Sequence, residues 1–534
     1  MVASSQPLAT MAGVNILLQG GNAADAAVAT AAALNVTEPT STGLGGDMFA
    51  LFYDAKTKNV TALNGSGRAP AALSIDLIKQ QNLQSPNHQI SNPYHAHNVT
   101  VPGACAGWCD LIERHGTMPL RDIFAPAIQL AENGFPVAPI TSYFWQRGAE
   151  RQLKNALNGH EMTIGGRGPN AGEIFRNPGL ARTFRAIAEG GKQAYYHGDI
   201  ARAIADVVQK SGGVMTTDDL AAHESTWDEP ISTTYRGVRV WECPPNGQGL
   251  ASLIALNILQ EFDLAAHPPM SAQRFHLLIE AMRVAFADTT WYIADPKFFH
   301  IPTKELLSKE YARERSALID PKRATMDTQR GAPVASSGTV YFCVVDGAGN
   351  ACSFINSNYM GFGTGIVPQG WGFTLQNRGN NFSLDPQMPN ALAPRKRPYH
   401  TIIPGMMTRD IETQNSASLQ HELVAPFGVM GGFMQPQGHM QVVVGMLDDG
   451  LDPQAALDRP RFCLSQASPL SRVELEEGIP FETIAALAQM EHHIHPVTGY
   501  ARSVFGRGQI IRREPDGTLW GGSDPRADGC AVGI

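Results

Sequence analysis

A layered α/β core is the fold class this sequence predicts, and three observations carry the prediction. Short strand-like apolar runs occur in both halves of the 534 residues, and helical patterns lie between and around them. No Ser/Gly/Pro-rich linker or block of charge divides the chain. The first helical segment covers residues 23–34, preceded by Gly20-Gly21, with Asn22 placed to cap it through its side-chain oxygen. Strands follow at residues 48–53 and 60–64. Apolar residues then recur at helical spacing over 119–133, 200–211, 251–262 and 271–293, with a strand at 238–242 between them. After Gly338 the pattern becomes a hairpin. Thr339 opens an apolar run, Asp346-Gly347-Ala348-Gly349-Asn350 supplies turn residues, and a second run extends from Ala351 to Ile355.

Composition narrows the function classes. A net charge of −8 argues against a nucleic-acid partner. Seven cysteines, an odd number without a Cys-x-x-Cys pair, read as free thiols in a reducing compartment, with Cys105 and Cys109 as buried small residues. No basic-plus-apolar leader opens the chain, and the most apolar early stretch, 23–36, is too short to span a bilayer. The expectation is a soluble cytoplasmic protein with no membrane partner.

Gly338-Thr339 is the step with chemistry in it. A threonine hydroxyl is a poor nucleophile unless a base lies beside it. Its own α-amine is such a base, but only if the chain is cut immediately before it. The surroundings strengthen this reading. TVYFCVVDGAGNACSFINSNYMGFGTGI, residues 339–366, resembles the start of the small subunit of the γ-glutamyltransferases, the glutathione hydrolase family. Gly20-Gly21-Asn22-Ala23-Ala24-Asp25-Ala26-Ala27-Val28-Ala29 is similar to that family's "GGNAVDAAVA" helix, and Gly43-Leu44-Gly45-Gly46-Asp47 to its glycine-rich loop. Val101-Pro102-Gly103, Tyr235-Arg236-Gly237, Arg459-Pro460-Arg461-Phe462 and Ser523-Asp524-Pro525-Arg526 match further signatures in order.

The resemblance implies an α+β fold, the four-layer αββα sandwich of the N-terminal-nucleophile hydrolases. It implies self-cleavage at Gly338-Thr339 into a large subunit, 1–338, and a small subunit, 339–534, which form one intertwined domain. Two-fragment units of this kind are allowed to assemble further as homo-oligomers. It also implies an acyl-enzyme on Thr339, formed from a small-molecule amide and resolved by water or an amine acceptor, with no cofactor. Ser357 falls where the family has a hydroxyl near the nucleophile's amine, and Gly431 and Gly432 match the glycine pair whose N–H groups hold the oxyanion. Arg68 is matched to the arginine that grips the glutamyl α-carboxylate.

Other positions depart from the family. Asn381 stands where an aspartate meets the substrate's α-ammonium, and Arg378 adds a cation nearby. Tyr359 replaces an asparagine, and His400-Thr401 replaces a pair of serines. The short loop between Phe382 and Lys396 leaves no room for the usual lid. These departures resemble the branch that includes cephalosporin acylases and oxamate amidohydrolases. The first expectation is hydrolysis or transfer of γ-glutamyl amides such as glutathione. The alternatives are another carboxylate-bearing acyl amide, or an uncut homologue acting as a binding protein. Glu491-His492-His493-Ile494-His495 lacks a recognised ligand spacing and reads as a surface segment, so no metal is expected.

Overall fold

The computed structural model describes residues 1–325, 338–411, 420–465 and 472–534. Among these residues, seven strands form the larger sheet. Their order across it is Cys530–Val532, Val2–Ser4, Gly338–Val345, Ala351–Tyr359, Asp47–Asp54, Asn59–Gly65 and Thr226–Asp228. Six form a second sheet, in the order Leu519–Ser523, Arg507–Arg513, Gln420–Met430, Gly405–Ile411, Val238–Glu242 and Ile231–Tyr235. The sheets pack face to face through Gly338–Val345, Gln420–Met430 and Arg507–Arg513. Helices Pro7–Leu18 and Ala23–Thr37 cover one outer face, and Gly249–Leu259 and Met434–Leu447 cover the other. The layers therefore run helix, sheet, sheet, helix, the αββα arrangement that the resemblance implies. Both sheets contain strands from before and after Gly338: in the larger sheet they interleave, and in the second, four strands from after Gly338 stand beside two from before it. No helix among the described residues is long and apolar enough to cross a membrane.

The sequence motifs have local physical reasons. Asn22 accepts from the N–H groups of Ala24 and Asp25, while Asp25 accepts from Asn22 N, closing a capping box on helix Ala23–Thr37. Every residue of that alanine-rich helix is buried. Small side chains let its neighbour come close: a Cβ at Gly13 would lie 2.3 Å from Thr30 Oγ1. In the hairpin turn, Asp346 binds Ala348 N and Asn350 N and reaches across to Ala23 N, so one carboxylate fixes the turn and the helix start. Arg461 and Arg526, from the two C-terminal signatures, converge on the buried Asp524.

Some expected boundaries move. The second hairpin arm continues past Ile355 to Tyr359, because the polar residues Asn356 to Asn358 are buried and the first two of them pair with Met48 and Asp47 of the neighbouring strand. Strands Gly405–Ile411, Gln420–Met430 and Arg507–Arg513 carry no clean alternation, since they are covered on both faces. All seven cysteines are free, Cys105 and Cys109 among the buried ones.

Candidate active site

Thr339 stands at the start of a central strand, only 1% exposed. Its Oγ1 lies 3.2 Å from Ser357 Oγ on the adjacent strand. Between Asn356 and Tyr359 the register slips, so that Tyr359 rather than Asn358 faces Gly338. Tyr359 takes φ = 76° at this bulge, a conformation that bulky residues rarely adopt and that marks functional sites. The slip turns Tyr359 N toward Ser357 Oγ, to which it donates at 2.9 Å. Ser357 in turn donates to Gly338 O at 2.9 Å. The hydroxyl thus touches both atoms that self-cleavage would engage.

Arg378 completes the group. Fully buried, it donates from Nη2 to Ser357 Oγ at 2.9 Å and from Nη1 to Thr401 Oγ1 at 2.7 Å, while its guanidinium lies 4.6 Å over the Tyr359 ring. Its Nε, also buried, has no hydrogen-bond partner among the described residues. Burial lowers its pKa to about 10, so it stays a cation at neutral pH.

Asp47 is the carboxylate that faces this charge. It sits opposite Ser357 in the strand pairing. Oδ1 accepts from Gly67 N (2.9 Å), Gly103 N (3.1 Å) and Gln376 Nε2 (3.0 Å), and Oδ2 accepts from His400 Nε2 (3.0 Å). Burial alone would raise its pKa, but the His400 bond and the Arg378 charge outweigh that and hold it low. Burial, reinforced by Arg378, pushes His400 down to about 4, so its ring is neutral and donates from Nε2.

The structure therefore brings together Gly338, Thr339, Ser357, Tyr359, Arg378 and Thr401, with His400 one contact behind through Asp47. Gly431 (φ = 135°) and Gly432 (φ = 63°) follow the strand that crosses over Tyr341, where a Cβ at Gly428 would lie 2.5 Å from the ring. Gln248 ties them in, donating to both Gly432 O (2.8 Å) and Thr401 O (2.6 Å). Arg68 stands apart from this contact group: half-buried, it donates to Glu224 O at 3.2 Å. Asn381 is also half-buried and donates to Tyr399 O at 3.0 Å.

Sequence reasoning missed Asp47 and Gln248. Asp47 was visible only as the end of a glycine-rich loop, although a charged residue entering an apolar strand is itself a signal. Gln248 carries none.

The expected surface segment at residues 491–495 is corrected at His492. Its neighbours His493 and His495 are exposed, but His492 is buried because it completes a polar group with His276 and Glu280 of helix Ala272–Tyr292. His276, Glu280 and His492 bring three atoms capable of binding a metal within 4.8 Å of one another. Arg283 donates to Glu280 (2.6 Å) and to His492 Nδ1 (3.3 Å). That leaves His492 Nε2–H to donate to His276 Nδ1 (2.8 Å), and His276 Nε2–H to donate to Asp320 O (2.7 Å). One tautomer pattern satisfies every ring nitrogen without an ion.

Comparison with known proteins gives a consistent picture. The model of the family described as Gamma-glutamyltranspeptidase matches residues 9–534. The chain is 36% identical to the glutathione hydrolase-like YwrD proenzyme of Bacillus subtilis, covering 100% of this chain and 98% of the relative. It is 32% identical to the oxamate amidohydrolase proenzyme of Klebsiella pneumoniae, again over 100% and 98%. A solved cephalosporin acylase from Bacillus halodurans superposes with a TM-score of 0.89 at 44% identity, covering 99% of this chain and 94% of that one.

Proposed function

We infer that this chain, which belongs to the gamma-glutamyltranspeptidase family and is an amide hydrolase, is made as a precursor. In this reading it cuts itself between Gly338 and Thr339 and then deacylates a carboxylate-bearing amide. The observation that carries the proposal is the Gly338–Thr339–Ser357–Arg378 contact group: a nucleophile, a polarised peptide carbonyl and a buried cation in one place.

Before cleavage the nitrogen of Thr339 is an amide and cannot act as a base. Cleavage releases an α-amine whose reference pKa, about 7.7–8.0, lies near working pH. That amine takes the proton of Oγ1 as the hydroxyl attacks the substrate amide, and returns it to the leaving amine. The N–H groups of Gly431 and Gly432 are the proposed donors to the tetrahedral oxyanion. Water or an acceptor amine then releases the acyl group, so hydrolysis and transfer share one intermediate.

Arg378 is the cation nearest the nucleophile in this group and the proposed reader of the acyl group's carboxylate. Glutathione and other γ-glutamyl amides meet that requirement. So do glutaryl amides and oxamate, which lack an α-ammonium, and the site favours them: Asn381 presents a neutral amide, and Asp47 has its carboxylate filled by four donors. Losing one partner of a charge-assisted bond costs roughly 1.5–3 kcal/mol, about 10- to 100-fold in affinity.

The test pairs electrophoresis with a substrate comparison. Active wild type should run as two fragments, and Thr339→Ala should abolish both cleavage and turnover. A glutaryl anilide should be hydrolysed at least as well as its γ-glutamyl counterpart. Active protein that runs as one intact band would overturn the mechanism, and a strong γ-glutamyl preference would overturn the acyl assignment.

A further inference from the structure

We propose that Arg378 drives self-cleavage by acting through Ser357 on the Gly338 carbonyl, as a polarising device separate from the glycine pair assigned to substrate turnover. The proposal rests on the self-cleavage reading above.

A serine oxygen has two lone pairs and one hydrogen. In this structure both lone pairs of Ser357 Oγ face N–H donors, Tyr359 N and Arg378 Nη2, each at 2.9 Å. The hydroxyl hydrogen is thereby committed outward, where Gly338 O at 2.9 Å is the nearer acceptor and Thr339 Oγ1 at 3.2 Å the farther one. One of the two donors is a cation, and a hydroxyl that accepts from a buried guanidinium becomes a stronger donor. The bulge at Tyr359 and the stacking of Arg378 on its ring hold all three groups in this order.

During cleavage Thr339 Oγ1 attacks the Gly338 carbonyl carbon and negative charge collects on Gly338 O, at the position Ser357 addresses. The Gly338–Thr339 C–N bond then breaks and the proton from Oγ1 ends on the released nitrogen, leaving an ester between Gly338 and Thr339 Oγ1. Water splits that ester, its hydroxyl going to the Gly338 carboxyl and its hydrogen back to Oγ1. Once the Gly338 carboxylate departs, the same guanidinium is free to meet the substrate's carboxylate. Arg378 is thus a positioning residue in the first reaction and a binding residue in the second.

The experiment follows cleavage of freshly synthesised full-length chain by electrophoresis, with thermal denaturation as the check on folding. Arg378→Met should lengthen the cleavage half-life by about tenfold or more, and Arg378→Lys, which keeps a cation, should recover part of the rate. The discriminating arm is non-additivity. Ser357→Ala should slow cleavage, and adding Arg378→Met to it should slow cleavage little further. If the two substitutions multiply, or if Arg378→Met cleaves at the wild-type rate, the relay is wrong while self-cleavage stands. If Arg378→Met fails to fold, the Arg378→Lys and Ser357→Ala pair gives the same cycle. Wild type that is active uncut would instead sink the reading beneath it.

Discussion

Replacing Asp47 by asparagine should cost this protein both stability and turnover, by amounts the contacts allow to be worked out. The carboxylate joins four segments distant in sequence: the Gly67 loop, the start of helix Ala104–His115, Gln376 and His400. In Asp47→Asn the amide oxygen can keep the three Oδ1 bonds, but the NH2 group then faces His400 Nε2–H, donor against donor. His400 cannot escape by changing tautomer without turning Nδ1–H toward Ile402 N, its present donor. A buried donor left unpartnered costs about 1–3 kcal/mol, and removing the charge that faces buried Arg378 adds to it, so about 2–4 kcal/mol is expected. Unfolding entropy of about 2 cal/mol/K per residue over 534 residues is roughly 1 kcal/mol/K. Calorimetry should therefore show Tm falling by about 2–4 °C. Hydrolysis of a glutaryl anilide should fall by more than the loss of folded protein explains, because Thr401 and Arg378 lose their backing. An unchanged Tm together with unchanged kcat/KM would refute the assignment of Asp47 as the organiser of the site.

Three further outcomes are expected. A Cβ on Gly338 would meet Gly361 N at 2.8 Å and Thr40 O at 2.9 Å, both backbone atoms, so Gly338→Ala should displace the scissile carbonyl and slow fragment formation; a wild-type time course would contradict this. Burial pushes His400 to about 4 and His492 to about 3, below their unfolded value near 6.5. The unfolded chain then binds more protons below that value, so the stability these residues contribute is full above about pH 6.5 and is lost as the pH falls toward 4. Thermal scans between pH 7 and 4.5 should show the decline, and a flat profile would count against neutral buried rings. Because the His276–His492 pair is satisfied by Arg283 and Asp320, zinc or a chelator should leave Tm unchanged; a metal held a hundredfold above its Kd would raise it by about 2–3 °C.

The sequence alone determined the nucleophile candidate, the candidate cleavage position and the order of motifs along the chain. These are local matters: turn chemistry at Asp346 to Asn350, a cap at Asn22, a hydroxyl after a glycine. Ser357, Tyr359 and Arg378 were also legible as candidates, because each stands at a position the resemblance marks. Only the tertiary structure decided what they do to one another. It made Tyr359 a bulge residue beneath Arg378 and turned Ser357 toward the Gly338 carbonyl. It left Arg68 outside the contact group, brought Asp47 to His400 across 353 positions, and buried His492 against His276. The physical reason is that a buried polar atom must find a partner wherever the chain can supply one. The partner's identity follows from how the sheets pack, and no periodicity along the sequence records it.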